Sequence, residues 1–71
     1  MKRVVVEIVG TNGIVRRLWE IDGDVFRLAL VHNGGDIKKT AAALNVSRKT
    51  VHSKINSHEI DIEQIRKDAQ R

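Results

Sequence analysis

Ala41, Asn45, Val46 and Val51 stand at the spacings that two short, steeply crossing helices require, and nothing else in the chain restricts its fold as much. Two helices joined by a turn of about three or four residues approach so closely that the first can carry only a small side chain at the crossing. Ala41 supplies it. Four residues later the chain must turn sharply, often with a positive φ, and Asn45 is the common non-glycine residue for that conformation. Val46 then plugs the gap between the helices, and Val51 closes the small core from the second helix. Ile37, Thr40, Ala41 and Leu44 fall on one face of the first helix, with Asp36 as its cap, while Val51 and Ile55 point inward from a helix capped by Ser47 and running to about residue 57.

The outward positions of that second helix are Arg48, Lys49, Thr50, His52, Ser53 and Lys54, all long or hydrogen-bonding and none acidic. A helix start of this kind can offer backbone N–H groups to phosphate and an arginine fork to guanine O6 and N7. Charge is concentrated here. Residues 36–57 hold Lys38, Lys39, Arg48, Lys49 and Lys54 against Asp36 alone, so this segment carries +4, the formal net charge of the whole chain. A localised basic patch is the footprint of a polyanion binder.

The stretch from Gly35 to Ile55, and above all Ser47-Arg48-Lys49-Thr50-Val51-His52-Ser53-Lys54-Ile55, resembles the Fis-type helix-turn-helix of nucleoid proteins and of NtrC-like enhancer-binding regulators. The likeness covers roughly residues 33–61. Asp36, Thr40, Asn45 and Glu59 depart from the family pattern, which has asparagine, a small residue, glycine and often glycine there. The resemblance implies a dimer that sets this helix into adjacent major grooves and often bends the duplex. It places Ser47 and Arg48 at base edges, Thr50 and Lys54 at phosphates or neighbouring edges, and Ser53 at a further groove-facing position. Lys38 and Lys39 are added on electrostatic grounds as contacts to flanking phosphates.

The rest of the chain is read around this unit. Val4–Val9 and Ile14–Ile21 are dense in β-branched and apolar residues and flank Asn12-Gly13, a pair suited to a type I′ turn, so residues 1–21 are expected to form a β-hairpin with Val9 opposite Arg16. Apolar side chains would then occupy both hairpin faces, one covering the helices and the other, or a strand edge, meeting a second subunit, with a hairpin packed only on its own helices as the alternative. Asp22-Gly23-Asp24 reads as a break that caps a short helix over 25–32, ended by Asn33-Gly34-Gly35. Asp61 with Gln64, flanked by Ile60 and Ile65, marks a short last helix over about 61–70. The expected architecture is mainly α with an N-terminal β-hairpin, a dimeric helix-turn-helix domain of three to four helices, with residues 1–71 as one domain and 24–57 as its core.

At 71 residues without cysteine, the chain has neither a disulfide nor a thiolate metal site to supplement a small core. No run reaches the roughly 18 apolar residues of a membrane span, and no signal peptide is legible, so a cytoplasmic, nucleoid-associated protein is expected. No glycine-rich phosphate loop, nucleophile set or carboxylate pair points to an enzyme, and His32, His52 and His58 lack metal-ligand spacing. No catalytic residue, cofactor or small-molecule ligand is expected. Two other readings stay open: a protein-interaction module with a basic helical face, and a response-regulator or sigma-type helix-turn-helix.

Overall fold

Trp19, Gly23, Phe26 and Leu30 recur at intervals of three or four residues, and the chain is helical through all of them. The computed structural model describes residues 6–10 and 13–70. Four helices follow one another: α1 (Leu18–His32), α2 (Ile37–Leu44), α3 (Arg48–Ser57) and α4 (Ile62–Ala69). Phe26 and Leu30 of α1, Ala41 of α2, Val51 of α3 and Ile60 form the buried core. Ile37, Leu44, Val46, Ile55, Ile62 and Ile65 pack around it. Thr40 is also fully buried, and its hydroxyl oxygen has no hydrogen-bond partner among the described residues.

The helix boundaries follow local chemistry. Asp36 Oδ1 accepts from the Lys39 amide at 3.0 Å, Ser47 Oγ from Thr50 at 3.1 Å and Asp61 Oδ1 from Gln64 at 3.1 Å. Each bond satisfies an N–H that the first helical turn would leave unpaired. Asn45 ends α2 in the left-handed conformation, φ 56° and ψ 46°, while the amide of Val46 donates to the Ala41 carbonyl at 3.0 Å. Glu59, with φ 51°, takes the same conformation where the family pattern often has glycine.

The expected N-terminal β-hairpin is not what forms. Among the described residues there is no strand, only a single antiparallel bridge between Val9 and Val15. It is held by Arg16 N–H to Ile8 O at 2.7 Å and Gly10 N–H to Ile14 O at 2.9 Å. Val9 therefore pairs with Val15, one residue off the expected Arg16. Val4, Val5, Thr11 and Asn12, assigned to that hairpin and its turn, lie outside the described residues. Leu18–Ile21, read as the end of the second strand, is the first turn of α1.

The reason is tertiary. Asp22-Gly23-Asp24 looks like a break because mid-helix glycine costs about 1 kcal/mol relative to alanine and aspartate favours caps. Here Gly23 is buried within α1, and a Cβ on it would stand 2.8 Å from Nδ1 of His58. Asp22 pairs with Lys54 and His58, and Asp24 with Arg16 at 2.6 Å and Arg27 at 3.2 Å. A helix puts Trp19, Asp22, Gly23 and Phe26 on one face toward α3. A strand followed by a break would scatter them.

Candidate nucleic-acid interface

The α2–turn–α3 unit presents its basic residues outward because its apolar ones are used inward. Ala41 and Val51 are buried at the crossing, and Ser47, Arg48, Lys49, His52 and Ser53 are exposed on the start and outer face of α3. Thr50 is half-buried, its Oγ1 3.0 Å from Ser47 Oγ, so the two hydroxyls hold one another at the helix start. Arg48 and His52, four apart, share a helix flank. Together with Lys38 from the first turn of α2 they line an open groove of about 560 Å³. Lys39 is exposed beside it.

Two sets of cations stand out among the described residues. Arg16, Arg27 and Lys54 are neutralised by acids of α1. Among the described residues, no ion pair involves Lys38, Lys39, Arg48 or Lys49. The charge that α2 and α3 carry outward is therefore left for a partner, and an unneutralised positive surface raises the local concentration of polyanions.

Lys54 stands apart from the other expected contacts. Its side chain is partly buried, with Nζ 2.8 Å from Asp22 Oδ2 and 5.7 Å from the centre of the Phe26 ring. The same Asp22 oxygen accepts from His58 Nε2 at 2.7 Å, and the His58 ring stacks on Trp19 with centres 3.8 Å apart. This cluster ties α1 to α3 and to the segment after it. Sequence reasoning missed it: Asp22 and His58 are 36 positions apart, and no periodicity links them. The one available signal was a glycine and two acids inside an otherwise helical apolar pattern.

The Lys54 ammonium, followed by the His58 ring, holds the Asp22 carboxyl below its ordinary value of 3.8, against a desolvation that acts the other way. A carboxyl whose pKa is lower in the folded state stabilises the fold above its unfolded pKa and loses that contribution as pH falls through the folded value. The unaltered protein should therefore lose melting temperature on acidification below about pH 4, and Asp22→Asn should lose less over that range. Thermal melts of both proteins between neutral pH and about pH 2 check this. Equal slopes would show that Asp22 is not held as described.

Among the described residues no group of three or more His, Cys, Asp or Glu side chains comes together as a metal site would need, and no helix is long and apolar enough to cross a membrane. A family model described as "Bacterial regulatory protein, Fis family" matches residues 17–58, which takes in α1, α2, α3 and His58. No curated protein and no solved structure matches the chain.

Proposed function

The chain belongs to the Fis family of bacterial regulatory proteins, a family of DNA-binding helix-turn-helix regulators and not of enzymes, and from that premise we propose that it binds double-stranded DNA sequence-specifically, with α3 in the major groove. The observation that carries this reading is the division of the cations: those facing α1 are neutralised, those facing outward from α2 and α3 are not. Arg48, at the first turn of α3, presents a fork to guanine O6 and N7. Ser47, Lys49, Thr50, His52 and Ser53 contact neighbouring edges or phosphates, and Lys38 and Lys39 hold the flanking backbone. Lys54, already paired with Asp22, serves the α1–α3 contact more than the duplex.

The active form is a homodimer in a prokaryotic cytoplasm, where it acts as a transcriptional regulator or as a nucleoid-type protein that bends DNA. Support for pairing comes from the N-terminal segment. Val9, Val15 and Ile8 are exposed around the bridge, and Leu18 and Trp19 at the start of α1 are 81% and 56% exposed. Apolar surface left in one contiguous segment marks an association site, and a chain this small gains from burying it against a second copy.

Fluorescence anisotropy of short duplexes between about 50 and 200 mM salt tests the reading. The expected log–log slope is several units, about 0.9 for each phosphate neutralised. Absent or salt-insensitive binding overturns DNA binding and favours a protein-interaction module with a basic face. Sedimentation at micromolar concentration should give a dimer, and a clean monomer overturns the pairing.

A further inference from the structure

The groove between α2 and α3 has a wall that the helix-turn-helix does not supply. α4 lies beyond the stretch that matches the family model, and its Arg66 lines the same groove as Lys38, Arg48 and His52. Arg66 Nε donates to the carbonyl oxygen of Gly35 at 3.1 Å. That contact depends on the residue at 35. Gly35 has φ +80°, and a Cβ on it would stand 2.5 Å from Arg66 Cγ. The Arg66 stem therefore fills the space that any side chain at position 35 would need, and the backbone conformation there is one that glycine adopts without steric cost. Arg66 is exposed, and that hydrogen bond sets its guanidinium beside the start of α2.

Its charge is uncompensated. Among the described residues no carboxylate forms an ion pair with Arg66. Among the described residues lining the groove the one acid is Asp36, which accepts the Lys39 amide as the cap of α2, and Lys38, Arg48 and Arg66 outweigh its charge three to one. Three helices thus bring Lys38, Arg48 and Arg66 to one concave surface that is continuous with the outward face of α3. An anion bound there while α3 lies in a major groove would be part of the same duplex, and a planar guanidinium fork suits the paired oxygens of a phosphodiester.

We infer that α4 is part of the DNA interface, with the Arg66 guanidinium, positioned by Gly35, binding a backbone phosphate of the duplex in the groove shared with Lys38, Arg48 and His52. The inference rests on the DNA-binding reading above. It gives the fourth helix a role that the packing of Ile62 and Ile65 alone does not require.

The test measures the full chain, Arg66→Gln and Arg66→Lys on a preferred and a random duplex across the same salt range, well below each protein's melting midpoint. Arg66→Gln should weaken binding to both duplexes by the same factor, on the order of tenfold, and lower the salt slope by about 1. Arg66→Lys should restore most of that slope, because it keeps the charge. Competition by inorganic phosphate at matched ionic strength that disappears in Arg66→Gln would show that phosphate and duplex share the Arg66 site, as proposed; competition that is equal in both proteins would place the duplex contact elsewhere and overturn the proposal. An unchanged slope in Arg66→Gln overturns it whatever the affinity, and leaves DNA binding by α3 intact. Failure of the unaltered chain to bind any duplex overturns the DNA reading itself, and this inference with it.

Discussion

Leu30→Ala should lower the unfolding free energy by about 2–5 kcal/mol, measured by urea denaturation followed through helical circular dichroism. Leu30 is completely buried and lies in the cluster formed by Phe26, Ala41, Val51 and Ile60. Truncation removes its transfer free energy and leaves a cavity that three helices would have to close. Because α1 packs against α2, α3 and α4, that collapse would have to shift all of them. A domain of this length has a total stability of roughly 4–10 kcal/mol, so the loss is a large fraction of the whole and a substantial unfolded population is expected. Val31→Ala is the control. The same helix exposes Val31, at 54%, and the change should stay within about 0.5 kcal/mol. A loss below about 1 kcal/mol for Leu30→Ala would mean that the α1 core is looser than its burial implies.

Arg48→Ala should cost about 1–3 kcal/mol on a duplex selected from a random pool, roughly 5- to 150-fold in affinity, and should relax the base preference at one position of the site. The side chain leaves the first turn of α3, whose start is fixed by the Ser47 cap and the Ser47–Thr50 hydroxyl pair, so the fork is presented from a rigid base. Lys39→Ala should weaken all sequences alike, since a phosphate contact carries no base information. Competition with random duplex separates the two effects. If both variants lose affinity equally on selected and random DNA, the assignment of Arg48 to base reading is wrong. Half-sites about one helical turn apart in the selected sequences would accompany a dimer with paired recognition helices.

The helix-turn-helix was legible because each of its signals is local. Asp36, Ser47 and Asp61 cap the helices that begin immediately after them. Asn45 takes the left-handed turn, and Ala41 and Val51 are buried at the crossing. These outcomes depend on backbone sterics and hydrogen bonds within a few residues, and residue type decides them. The start of α1 was not legible on the same grounds. A run of β-branched residues before Asn12-Gly13 favours strands by propensity, and Asp22-Gly23-Asp24 favours a break, yet both preferences are worth about a kilocalorie per mole or less at each position.

Packing from afar overrides preferences of that size. The ring of His58 needs the space a side chain at position 23 would fill, and its stack on Trp19 and hydrogen bond to Asp22 exist only if α1 is continuous through that glycine. Lys54 shows the same division at the interface. Its position on α3 follows from the helical register, but its pairing partner sits on another helix, and that partner turns a residue of the basic surface into a tether between α1 and α3. Arg66 shows the converse: nothing near it in the chain marks it, and only the meeting of α4 with Gly35 sets its charge beside Lys38 and Arg48. Residue order alone thus decides the turn, the caps and which helix is basic. Which of the basic residues remain free to meet DNA is decided by the contacts between helices, because neutralising a charge takes a partner brought close in space.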